Sequence, residues 1–215
     1  MSSRLLVVFD LDGVIARTDT MAFLLQRQLL SHPLRAIAGA PAAVAWFVLH
    51  RFPRIRVRLS RALGRAALSG LSETEYRALA TEVGTLLGRD PTKQIPAGVA
   101  AVRQHLLAGD EVVITTGTEG VLSRAFLDAV GLDGIELIAT ELRFDRRIVR
   151  YEVHNLGPAK ATRFPERPID LFYTDSQLDL EVARLSRRTV LVNPDRRLAR
   201  LFAANVSSLQ VESWE

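Results

Sequence analysis

Phe9-Asp10-Leu11-Asp12-Gly13-Val14 follows directly on the apolar run Leu5-Leu6-Val7-Val8. Five apolar residues in a row ending in a carboxylate predict a buried parallel strand. Such a strand delivers Asp10 to the C-terminal edge of an open α/β sheet, where ligands bind. Asp12 points to the same side as Asp10 if the extended geometry persists, and Gly13 lets the backbone turn sharply and approach a ligand. Two like charges held together need a partner, and a divalent cation or a shared proton is the usual one. Taken alone, a strand ending in an Asx-turn accounts equally well for this stretch.

The rest of the chain bears on that choice. With 215 residues, 48% hydrophobic and 24% charged, it can bury a full globular core, and one domain carrying a large insertion is expected. No stretch approaches the roughly 20 apolar residues of a membrane span. The N-terminal apolar run is too short for a signal peptide and runs straight into two aspartates. The absence of cysteine excludes disulfides, thiolate chemistry and sulfur-built zinc sites. These features fit a cytoplasmic protein. The net charge of +4 hides an asymmetry: residues 20–72 hold eight arginines and no acid. The basic character is therefore local to one part of the molecule.

Residues 20–90 read as helical, rich in Ala, Leu and Arg, with helices expected over 19–31, 34–50 and 53–69 and a fourth after the capping signal Ser72-Glu73-Thr74-Glu75. Pro91 and Pro96 punctuate the chain. From Ile95 on, helices are expected over 98–107, 119–130 and 178–185. They alternate with strands over 111–116, 136–140, 169–174 and 189–192, and a hairpin is expected over 142–153. Strands alternating with helices imply a parallel sheet with right-handed crossovers. The expected fold class is α/β, a Rossmann-like core (1–14 plus 95–215) interrupted by a helical insertion (15–94).

Three further clusters fall at strand ends or helix starts. Val112-Val113-Ile114 leads into the hydroxyl-rich turn Thr115-Thr116-Gly117-Thr118, where hydroxyls and free N–H groups offer an anion site. Gly157-Pro158-Ala159-Lys160 supplies a cation before a helix. Leu171-Phe172-Tyr173-Thr174 ends in Asp175-Ser176-Gln177-Leu178-Asp179, two acids at i and i+4. Singly, each has a blander reading: a helix cap, a solvated lysine, a first-turn acid. The ordered set of acid pair, Thr, Lys and acid pair resembles the haloacid dehalogenase-like phosphatases over essentially the whole chain. Asp10-Leu11-Asp12-Gly13-Val14 resembles their first motif and Thr116 their second, with Thr115 as a register alternative. Lys160 resembles the third, and Asp175 with Asp179 the fourth. The insertion after the first motif matches the branch with a C1-type helical cap, which includes phosphoserine phosphatases. Thr174 stands where a glycine is common, and Thr116 where many relatives carry serine.

The resemblance implies Asp10 as a nucleophile forming an aspartyl-phosphate and Asp12 as acid and then base. It implies Mg²⁺ on Asp10, the Asp12 carbonyl and Asp175, with Asp179 orienting that shell, and Thr116, Gly117 and Lys160 on the phosphoryl oxygens. An acid two residues after the nucleophile argues for phosphatase chemistry, since dehalogenase relatives lack it.

The arginine-rich segment bears on the substrate. Arg51, Arg54, Arg58, Arg61 and Arg65 recur at helical spacing beside the fourteen uncharged residues Ala36–Leu49, which include Trp46 and Phe47. Three readings stand: solvated arginines on a packed cap helix, a surface lying on anionic lipid, or contacts to an anionic substrate through residues such as Arg54, Arg58 and Arg61. The chain is also similar to the phosphatidylglycerophosphatase-type branch and to phosphatase-like domains fused to prenyltransferases. Those likenesses imply a lipid- or prenyl-linked phosphate and a peripheral position on the inner face of the membrane. Asp19 sits where phosphoserine phosphatases place an acid on the substrate's amine, which keeps a small-metabolite phosphatase open. A catalytically silent phospho-ligand or membrane-binding module predicts a damaged motif, and none is damaged. A nucleic-acid partner is not expected, because few aromatics accompany the arginines. His32, His50, His105 and His154 share no ligand spacing.

Overall fold

The opening run is the central strand of the sheet in a computed structural model that describes residues 4–49, 53–164 and 168–214. Arg51 and Phe52 lie outside the described residues, as do the side chains of Phe47, Arg54 and Arg56. Strand β1 (Leu6–Asp10) is buried along its whole length. It pairs in parallel with β2 (Glu111–Glu119) on one side and β5 (Ile169–Thr174) on the other. The seven-stranded order is β4-β3-β2-β1-β5-β6-β7, with β3 (Glu136–Asp145), β4 (Ile148–Val153), β6 (Ser186–Val192) and β7 (Leu209–Glu212). Every pairing is parallel except that of the edge strand β4. The α/β expectation is met. Side chains of β1 alternate faces, as a strand's period of two requires: Val7 and Phe9 enter one core, Leu6 and Val8 the other.

The helical insertion forms α1 (Thr20–Ser31), α2 (Pro33–Leu49), α3 (Pro53–Leu68) and α4 (Glu73–Arg89). Asp19 lies one residue outside α1 as its N-cap, accepting from Ala22 N at 2.8 Å. The Ser72–Glu75 capping box starts α4 where the sequence signals it. Helix α4 packs on α6 (Gly120–Ala129) rather than standing apart with α1–α3. Added Cβ atoms at Gly84 and Gly88 would lie 2.5 Å from the Leu122 carbonyl and 2.7 Å from that of Phe126, so only glycine allows the two backbones this close. Tyr76 of α4 also donates to Glu119 at 2.7 Å.

The segments entering and leaving the insertion are stitched together. Ile95 N donates to Ile15 O and Arg17 N to Lys93 O, each at 2.8 Å. Helix α5 (Pro96–Leu107) then passes so close to this loop that a Cβ on Gly98 would sit 1.9 Å from the Val14 carbonyl.

Two expectations are corrected in detail. The strand over 136–140 and the first arm of the hairpin over 142–153 are one continuous strand, β3. It pairs with β2 at its start and with β4 at its end, and it turns through Arg146 and Arg147, both at positive φ. Helix α9 (Arg196–Ala203) and the edge strand β7 have no counterpart in the sequence reading. Strand β7 is only four residues long and nowhere buried, too short for alternation to register.

Candidate active site

The turn after β1 is held by its own backbone: Ile15 N and Ala16 N both donate to Leu11 O, at 2.8 and 2.9 Å, and Gly13 N donates to Ala16 O at 2.7 Å. Gly13 adopts φ +79°, and a Cβ there would lie 1.9 Å from Asp175 Oδ2. The glycine of the first acidic motif therefore makes room for the carboxylate of the last. β1 and β5 are neighbours, so the two acidic motifs meet at one sheet edge.

Lys160, in the short helix α7 (Pro158–Ala161), is fully buried between them. Its Nζ lies 2.9 Å from Asp10 Oδ1 and donates to both oxygens of Asp179 at 2.9 Å. Asp10 and Asp179 outweigh burial and hold the Lys160 pKa above lysine's ordinary value, so it is an ammonium at every working pH. Thr174, at the position where a glycine is common, donates to Asp179 Oδ2 at 2.8 Å and accepts from Ser176 N at 3.1 Å. The substitution thus adds a hydrogen bond that fixes Asp179.

Asp10 Oδ1 also accepts from Leu11 N at 2.8 Å. With Lys160 on the same oxygen, Oδ2 is left for chemistry. Burial pushes the Asp10 carboxyl up, Lys160 pulls it down, and the charges of Asp179 and Asp175 push it up again. Asp12 is held differently. Its Oδ1 accepts from Thr20 N at 3.1 Å and Thr20 Oγ1 at 2.9 Å, and its Oδ2 accepts from Thr118 Oγ1 at 2.8 Å. Burial, then the charge of Asp19, raise the Asp12 pKa to about 7 against these donors. Two carboxyls two residues apart are thus held in different environments.

The hydroxyl turn divides its labour. Thr115 Oγ1 accepts from Asn155 Nδ2 at 3.1 Å and Thr116 Oγ1 from Thr118 N at 3.0 Å, so each keeps its own proton to donate. Both threonines are fully buried, and the wall of the cavity here is made by Gly117 and Thr118. Thr118 and Thr20, the clasp on Asp12, escaped the sequence reading. Thr118 lies two residues beyond Thr116 and Thr20 at the start of a helix, and nothing in either position signals a partner about a hundred residues away.

Above these residues opens a cavity of about 810 Å³. Asp10, Asp12, Lys160, Asp175 and Asp179 line its floor, with Arg17 and Asp19 beside them. Its upper wall includes Met21, Leu25, Gln26 and Leu29 of α1, Ala36, Ala40, Ala43 and Trp46 of α2, and Ser60 and Leu63 of α3. Of the cap arginines expected near a substrate, Arg61 donates from Nε to His154 Nδ1 at 2.8 Å, and Arg58 is exposed. His154, given no role from its spacing, is buried and lines the cavity with Tyr151.

The floor fits a hard divalent cation in donor type and charge. With Arg17 and Asp19 included, five aspartates face one lysine and one arginine, and every candidate ligand is an oxygen. Among the described residues no three carboxylate or imidazole side chains converge into a ready-made cage. Mg²⁺ does not need one, being held typically by one or two carboxylates plus water.

A family model for haloacid dehalogenase-like hydrolases matches residues 7–184. The chain belongs to that family. No curated protein matches it in sequence. Among solved structures, a Bordetella pertussis Tohama I protein of unknown function superposes with TM-score 0.68 at 21% identity, covering 97% of this chain and 99% of that one. A phosphoserine phosphohydrolase-like protein from Francisella tularensis gives 0.64 at 12% identity, over 97% and 95% of the two chains. The cytosolic 5'-nucleotidase IIIB bound to cytidine gives 0.63 at 12%, over 98% and 81%. This haloacid dehalogenase-like hydrolase therefore shares the α/β fold of phosphatases, as its motifs imply.

Proposed function

We propose that this hydrolase is a Mg²⁺-dependent phosphatase that removes the phosphoryl group of a lipid- or prenyl-linked phosphomonoester through an aspartyl-phosphate. One observation carries the substrate class: the acidic floor opens into a cavity whose α1–α3 side is mostly aliphatic side chains and Trp46, with Gln26 and Ser60 as its polar members. Its volume is near the upper end of the range that encloses drug-sized ligands, about 300–1,000 Å³. A small polar substrate would leave that apolar wall facing water. Asp19 at the rim is the feature that favours a phosphoserine-type substrate, and it already serves as the α1 cap.

In this reading Asp10 Oδ2 attacks phosphorus, and the bond to the leaving oxygen breaks as Asp12 gives that oxygen its proton. Water then attacks the phosphorus, Asp12 takes the water's proton, and the bond to Asp10 breaks to release phosphate. A pKa of about 7 suits a group that must be acid in one half and base in the other. Thr116 and the Gly117 N–H would hold phosphoryl oxygens, and Lys160 would supply a fixed positive charge beside them. Thr115 also keeps its hydroxyl proton, and Thr116 is preferred because it adjoins Gly117 at the cavity wall. Asp10, Asp175 and the Asp12 carbonyl would hold Mg²⁺, with Asp179 orienting that shell. When bound, the ion neutralises the charge that develops on the transferring group. The division into a core (1–14 plus 95–215) and a cap (15–94) belongs to this reading, with α4 docked on the core side.

The same reading places the enzyme at an anionic membrane surface. No helix among the described residues is long and apolar enough to cross a membrane. Helix α2, however, has two apolar faces. Ala36, Gly39, Ala40, Ala43 and Trp46 face the cavity. Leu34, Ile37, Val44 and Val48 form a second stripe at helical spacing, each more than 60% exposed. Arginines without acids surround that stripe in sequence, the charge pattern of an interfacial helix on anionic lipid. Turnover compared across lipid phosphates, prenyl phosphates, phosphoserine and sugar phosphates in Mg²⁺ tests the substrate class. Preference for phosphoserine would overturn it.

A further inference from the structure

The mostly apolar cavity wall carries a polar pair, Tyr151 and His154, beside the phosphoryl turn. Asn155 Nδ2 donates to Thr115 Oγ1 at 3.1 Å and to the carbonyls of Thr116 and Ile138 at 2.9 Å, which ties the segment 154–156 to that turn. Leu156 of this segment lies 2.8 Å from where a Cβ of Gly117 would be. His154 is therefore fixed next to the residues assigned to the phosphoryl oxygens. An arginine Nε can only donate, so the hydrogen bond from Arg61 makes His154 Nδ1 an acceptor and leaves the ring proton on Nε2. Burial, then Arg61, lower the His154 pKa to about 4 and keep the ring neutral.

Tyr151 packs against this ring, with centroids 4.8 Å apart. Its hydroxyl reaches α3 at Gly64, where a Cβ would lie 2.0 Å from the oxygen. Arg61 and Arg65 are close enough to oppose the upward push of burial on the Tyr151 hydroxyl. Among the described residues neither His154 Nε2 nor the Tyr151 hydroxyl has a hydrogen-bond partner, and both residues line the cavity. Two donors that open onto the cavity and are backed by two guanidinium groups are placed to donate to an anionic ligand.

We infer that His154 and Tyr151, backed by Arg61 and Arg65, form a subsite for a second oxyanion of the substrate, beside the phosphoryl group that is removed. The assignment rests on the phosphoryl site proposed above and narrows its substrate to compounds carrying two acidic phosphorus centres. The second centre is either directly bridged to the first, as in a diphosphate, or several bonds away, as in a phosphodiester headgroup.

Binding of non-hydrolysable probes by titration calorimetry, in excess Mg²⁺, tests this without requiring turnover. The probes are propylphosphonate, methylenediphosphonate and propane-1,3-diyl bisphosphonate. Wild type is expected to bind one bisphosphonate about tenfold or more tightly than the monophosphonate. The better spacer tells a diphosphate from a more distant diester. In Tyr151→Phe and His154→Gln, with melting curves verifying that each is folded, that ratio is expected to collapse towards one. Equal binding of all three probes by wild type, or a ratio that neither substitution changes, overturns the subsite. Loss of aryl-phosphate hydrolysis in wild type would instead count against the phosphatase reading, and the binding ratio would still decide the subsite.

Discussion

The Thr118 hydroxyl donates to Asp12 Oδ2 at 2.8 Å, across 106 residues of sequence. This bond lowers the Asp12 pKa while burial raises it, and the balance falls at about 7. Proton donation to the leaving group then weakens as pH rises through 7. Thr118→Val removes a bond to the charged form, so the alkaline limb of the phosphorylation rate is expected to move up by about one pH unit. Pre-steady-state rates against pH measure this, and an unmoved limb would remove Asp12 from the role of acid.

The raised Asp12 pKa also has a cost in stability. The folded protein binds this proton more tightly than the unfolded chain, so stability falls as pH rises from about 4 to about 7 and stays low above. A gap of about three pH units sets a ceiling near 4 kcal/mol. Asp12→Asn is therefore expected to raise the melting temperature of metal-free protein at pH 8 by a few degrees, and to leave it nearly unchanged at pH 4. Thermal unfolding in EDTA at the two pH values checks the sign.

Gly13 and Asp175 compete for the same space. Gly13→Ala combines a left-handed φ with a Cβ 1.9 Å from Asp175 Oδ2, so the carboxylate must move. Mg²⁺ is expected to raise the melting temperature of wild type, and much less that of Gly13→Ala or Asp175→Asn. Equal stabilisation of all three proteins would place the metal elsewhere.

The outer stripe of α2 predicts binding to vesicles containing anionic lipid that weakens with salt. Ile37→Glu with Val44→Glu is expected to reduce co-sedimentation at least about tenfold, since each change exchanges buried apolar area for a like charge. Retained binding would assign the stripe to another partner, and a shift in sedimentation coefficient on mutation would identify a second copy of the chain.

Much of this molecule was legible in the order of its residues. The strand that ends in Asp10, the cap helices and the motifs at strand ends and helix starts follow from apolar runs and capping signals whose physics is local. The clasp of Thr20 and Thr118 on Asp12, the buried Lys160 bridge and the Arg61–His154 bond are set by tertiary packing across long separations, and no local pattern encodes them. His154 shows the limit most plainly: an isolated histidine by spacing, it lies beside the phosphoryl turn because Asn155 is tied there. Arg61, one of the arginines read as solvated, lipid-facing or substrate-contacting, instead bonds His154 beyond the hairpin.

The central claim, a phosphatase whose cap accepts an apolar chain, is tested most directly by kcat/KM in Mg²⁺ for n-alkyl phosphates of increasing length below their micelle concentrations, with phosphoserine alongside. Burial of each methylene contributes at most about 0.8 kcal/mol. The expected result is a rise of up to about fourfold per methylene until the cavity is filled, with phosphoserine far below the longer chains. A profile flat in chain length, or phosphoserine as the best substrate, would contradict it.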